Sequence, residues 1–77
     1  MSELPAVTGR EAIRAFEKGG FAVVRVRGSH HILKKKGCRY TLSIPVHGKK
    51  PLSKGLLRRQ IRTAGLGEKE FASLLKK

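Results

Sequence analysis

The sequence predicts an α+β fold in which a small three-stranded antiparallel sheet carries helices on one face and leaves its other face open. Three observations carry that prediction. An amphipathic helix pattern with a capping signal opens the chain, three short strand-like runs separated by glycines follow, and a second amphipathic pattern with a cationic stripe comes after them. At 77 residues the chain suits a single domain, 1–77, because a polymer of this size buries only about 60% of its unfolded surface and has little left for a second core.

Residues 1–7 read as a loose lead-in, with Pro5 opposing a helix before it. Thr8 and Glu11 have the T-x-x-E spacing of a capping box, so the first helix starts here. Its apolar residues Ala12, Ile13, Ala15 and Phe16 form a stripe between charged neighbours, and Gly19-Gly20 supplies the stop. FAVVRVR reads as the first strand, with strict alternation setting Val24 and Val26 on one face and Val23, Arg25 and Arg27 on the other. HHILKK after Gly28-Ser29 is the second. In the third, CRYTLSIPVH, the residues Tyr40, Leu42, Ile44 and Val46 alternate with Arg39, Thr41, Ser43 and Pro45. HGKKPLS is a basic loop that ends on Ser53 as an N-cap. The helix after it sets Leu57, Ile61 and Ala64 on one side and Lys54, Arg58 and Arg62 on another, and Gly65 closes it. EKEFASLLKK predicts a short further helix packed through Phe71, Leu74 and Leu75.

Eighteen Lys and Arg against five Glu and no Asp leave a net charge of +13, which favours a polyanionic partner through counterion release. Nucleic acid comes first. A membrane surface is disfavoured, since no long apolar face with aromatic anchors and no run of roughly 20 apolar residues is present. The start of the chain lacks the pattern of a secretory signal, and the single Cys38 excludes an internal disulfide. A cytoplasmic protein is expected.

The carboxylates are too few and too scattered to hold a Mg²⁺ ion near the histidines, so any catalysis on phosphate is expected to be independent of metal and cofactor. Cys38 lies in no C-x-x-C pair and the histidines in no H-x₃-H pair, which argues against zinc and leaves Cys38 as a strand residue beside a turn. Imidazole remains. His30, His31 and His47 are the only ones, and a group that titrates near neutrality can move a proton to or from an RNA 2′-hydroxyl. His30 and Ile32 share one strand face, His31 and Leu33 the other; alternation alone does not choose between the two histidines. Lys34, Lys35 and Lys36 form one cationic cluster, and Lys49, Lys50, Lys54, Arg58 and Arg62 form another. Aromatics for stacking bases are scarce, with only Tyr40 outside the expected core.

Gly20-Phe21, the stretch Val24, Arg25, Gly28, Ser29 and His30, the closing Ile44 to His47, then Leu52, Gly55, Leu57 and Arg58, and finally Ala64 to Leu66 together resemble the HicA toxins, also called the YcfA-like family. The similarity spans roughly residues 9 to 75. It implies an α-β-β-β-α fold similar to the double-stranded RNA-binding domain. It also implies an mRNA interferase, a toxin of a type II toxin-antitoxin system that cleaves mRNA and is held inactive by a HicB-type antitoxin. The histidine directly after Gly-Ser, here His30, is then catalytic, with His31 its rival because some members carry the histidine one place later. His47 matches a position usually histidine in the family, where it orients substrate or caps the strand. Arg27, Ser29, Lys34, His47, Lys49, Lys50, Lys54, Arg58 and Arg62 are the RNA-binding candidates. A non-catalytic double-stranded RNA-binding module on the same basic surface is the alternative reading. DNA binding through the cationic helix ranks last, since no helix-turn-helix pair is present.

Overall fold

The computed structural model describes residues 4–76. Helix α1 (Gly9–Lys18) is followed by strands β1 (Ala22–Arg27), β2 (His30–Lys34) and β3 (Leu42–Pro45), then by helices α2 (Lys54–Thr63) and α3 (Glu68–Lys76). The three strands make one antiparallel sheet in the order β1-β2-β3. The fold is therefore the expected α+β type, similar to a double-stranded RNA-binding domain with one helix added. No helix among the described residues is long and apolar enough to cross a membrane.

Helix α1 begins where its capping box requires. The Glu11 N–H donates to Thr8 Oγ1 at 3.2 Å and the Thr8 N–H donates to Glu11 Oε1 at 3.0 Å, so two otherwise orphaned donors are satisfied reciprocally. Ser53 caps α2 in the same manner, accepting from the Leu56 N–H at 3.2 Å. The buried stripe of α1, Ala12, Ile13, Ala15 and Phe16, faces Leu33, Leu42 and Ile44 of the sheet, and Leu57 and Ile61 of α2 complete the layer. Phe16 is fully buried, meeting Phe21 edge-on at 5.9 Å and Phe71 of α3 at 4.9 Å. That contact anchors α3, while Leu74 and Leu75 pack at the margin.

Several expectations need correction. Strict alternation in β1 fails because a β-bulge lies between Val23 and Arg25: Val23 pairs with Leu33, Arg25 with Ile32 and Val26 with His31. One extra residue there shifts the phase, so Val23 and the largely exposed Val26 fall on the side of the sheet that carries the helices and Arg25 and Arg27 on the open side. The third strand is shorter than CRYTLSIPVH. Residues 35–41 form the connection, in which a turn is closed by the Cys38 N–H on Lys35 O, and the Cys38 thiol donates to Tyr40 O at 3.4 Å. Cys38 is thus a loop residue. The lead-in, expected to be loose, is packed in its described part: Leu4 and Val7 belong to the core, and Val7 O accepts the Leu52 N–H at 2.7 Å.

Candidate functional site

The β1–β2 hairpin turns through only Gly28 and Ser29. A φ of 59° at Gly28, the first central residue of the loop, is the geometry that matches the twist of paired strands and that a side chain resists. This tight turn fixes the register that follows. His30 pairs with Arg27 on β1 and with Pro45 on β3, and all three project from the open face of the sheet. His30 is exposed there, with the Arg27 guanidinium stem directly opposite it across the strand pair.

His31 occupies the opposite face. Its partners are Val26 and the fully buried Ile44, and the ring is half-buried with a Nδ1 atom that has no hydrogen-bond partner among the described residues. The two neighbours in sequence therefore meet different media: one imidazole faces solvent across the strand pair from Arg27, the other is half-buried on the side that carries the helices.

Other candidate residues converge on the end of the sheet that carries Ser29 and His30. The Val46 N–H donates to Ser29 O at 2.7 Å, tying the hairpin turn to the exit of β3, and His47 follows at once in an exposed stretch. A turn opened by Gly48 (φ 59°) and closed by the Lys50 N–H on His47 O presents Lys49 and Lys50. The loop is then clipped by a bridge between Thr8 and Pro51. At the same end Gly9 brings α1 against β3: a Cβ on Gly9 would collide with the Pro45 carbonyl oxygen and lie 3.1 Å from Val46 Cα.

Lys34 closes β2 at the far end, on the same face as His30 and Ile32. Lys54, Arg58 and Arg62 are exposed along α2, a separate element from the sheet face. Of these, Arg58 is the one engaged by an acid, its Nε lying 3.6 Å from Glu68 Oε2 of α3. From Lys18 through Gly67 the chain contains no carboxylate at all, so the positive charge of the sheet and its loops is uncompensated from within. No group of three or more His, Cys, Asp or Glu side chains among the described residues is arranged to hold a metal ion.

Sequence reasoning missed part of the open face. Val24, Arg25, Arg27, Ile32 and Lys34 line a shallow groove of about 470 Å³ there. Ile32 and Lys34 follow His30 by alternation along β2; Arg25 and Arg27 join Val24 on this face only through the bulge, for which the sequence carries no distinct signal.

The family model for the HicA toxin of bacterial toxin-antitoxin systems matches residues 9–66. The chain belongs to the HicA toxin family. It is therefore a toxin whose family implies an antitoxin partner. The matched stretch of this HicA toxin opens on Gly9, the close-approach residue of α1, and closes after α2, enclosing the whole sheet, all three histidines and the α2 stripe. Helix α3, with the Phe71 anchor and the Glu68 partner of Arg58, lies beyond it. No curated protein matches the chain.

Proposed function

We propose that this HicA toxin is a metal-independent endoribonuclease, an mRNA interferase inhibited by a HicB-type antitoxin, with His30 as its general acid-base. The observation that carries the reading is the setting of His30: an exposed imidazole on the open face, across the strand from Arg27, in a stretch of chain without carboxylates. His30 takes the proton from an RNA 2′-hydroxyl. The freed oxygen attacks the adjacent phosphorus, the bond from phosphorus to the 5′-oxygen breaks, and that oxygen takes up a proton. Charge building on the phosphate during this exchange is offset by Arg27, with Lys49 and Lys50 drawing the backbone towards the same end. His47 orients the substrate at the exit of β3. The rate gain expected from one imidazole is about 10² to 10⁴.

His31 supports the same assignment by contrast. Its half-buried ring is on the face opposite His30, paired with Ile44, so reaching substrate on the open face would require it to leave that side of the sheet. The reading is tested by inducing the toxin in cells and following growth and RNA integrity, then repeating cleavage with purified protein and EDTA. Growth arrest relieved by co-expressed antitoxin, and cleavage unaffected by EDTA, are expected. RNA bound firmly but left intact after long incubation would reassign the protein as a non-catalytic RNA-binding module.

A further inference from the structure

We infer that the groove on the open sheet face is the track of the RNA strand, and that the strand runs single-stranded from Lys34 past Arg25 and Arg27 to His30. The inference rests on the RNA-cleaving reading for its endpoint at His30, while its own evidence is the make-up of the groove. Its walls are cationic, Arg25 and Arg27 from β1 and Lys34 from β2, and its floor is apolar, Val24 and Ile32. Val24 is 54% exposed and Ile32 half-buried, so part of this floor is open to solvent.

The bulge is the device that builds the groove. Counted by strict alternation from the helix-facing Val23, Arg25 and Arg27 would point to the side of the sheet that carries the helices, away from His30. The extra residue in β1 advances the phase by one, which sets both arginines on the face that carries His30. Bulges beside active sites re-aim side chains in this way. The result is a row of three cations on one side of the sheet with no carboxylate between Lys18 and Gly67 to neutralise it.

A polyanion with apolar faces suits this arrangement. Phosphates take the rim, and the faces of unstacked bases rest on Val24 and Ile32; a duplex keeps its base faces stacked inward and cannot offer them to such a floor. From His30 to Lys34 the strand extends for about 13 Å at the usual rise of roughly 3.3 Å per residue, so the two ends address different phosphates of one strand.

Fluorescence anisotropy with a labelled 12-nucleotide single strand and its duplex tests this, using His30→Ala protein as the parent so that nothing is cleaved. Arg25→Ala and Lys34→Ala are each expected to weaken single-strand binding about fourfold at 0.15 M salt and to flatten the slope of log Kd against log salt by about 0.7, the signature of one lost phosphate contact. Lys69→Ala, which removes the same charge from exposed α3, leaves that slope unchanged. Ile32→Thr weakens binding without altering the slope, and circular dichroism melts verify that each variant is folded. Slopes for Arg25→Ala and Lys34→Ala equal to that of Lys69→Ala, or tighter binding of the duplex, would overturn the inference even if the wild type cleaves RNA. So would groove variants that bind RNA normally but escape the antitoxin, which would make the face a protein interface. Failure of the wild type to cleave, with the slope changes intact, would remove the nuclease reading and leave the groove standing.

Discussion

Adjacent residues of one strand can meet unrelated surroundings, and His30 and His31 show why. The side-chain period of two sends the first to the open face and the second towards Ile44. That they differ is legible in the sequence; which of them faces outward depends on where the helices lie, and that becomes visible only when Leu33, Leu42 and Ile44 are seen to share the core. Gly9 makes a related point. Nothing in its sequence context marks it apart from other glycines, yet a Cβ there meets the Pro45 carbonyl, so the residue sets the closeness of α1 to the exit of β3. Gly9→Ala is expected to lower the thermal midpoint by several degrees, corresponding to about 1–3 kcal/mol for overpacking, in a calorimetric or dichroism melt. An unchanged midpoint would mean that the helix shifts without cost.

At the scale of elements, what reads well is what local chemistry decides. Thr8 with Glu11 and Ser53 mark the starts of α1 and α2 because capping uses only residues within one turn. Thr8→Ala should cost about 1 kcal/mol, checked by urea titration. What reads poorly is what another element decides. The phase of β1 is set by its pairing with β2 and by the bulge, and the extent of β3 by what β2 leaves to pair with. The outer edge of β3 is itself met by α2, where Gln60 Oε1 accepts the Ser43 N–H at 3.4 Å. Helix α3 is held through Phe71 on Phe16, and Phe71→Ala should destabilise the protein by about 3–5 kcal/mol while loosening α3, seen as faster amide exchange in residues 68–76. Slow exchange there after the substitution would show that the margin contacts suffice.

For the molecule as a whole, charge is the governing property. With +13 on 77 residues, and the interior stretch from Lys18 to Gly67 free of acids, association with RNA should be fast and steeply dependent on salt. The acids of the described residues, Glu11 and Glu17 on α1 and Glu68 and Glu70 on α3, flank that stretch, and the described ion pair, Arg58 with Glu68, joins α2 to α3 away from the sheet strands. Cations are displayed along α2, in the loop of Lys49 and Lys50 and on the open face, and the open-face set of Arg25, Arg27 and Lys34 shares its face with His30.

The central claim is that His30 performs the chemistry and His31 packs. Its most direct test is the cleavage rate of a defined RNA by purified wild type, His30→Ala and His31→Ala, with RNA affinity measured on the same preparations. A fall of about 10² to 10⁴ is expected for His30→Ala with affinity retained, and a rate within a few-fold of wild type for folded His31→Ala. Wild-type cleavage by His30→Ala, or loss of cleavage confined to a stably folded His31→Ala, would contradict it.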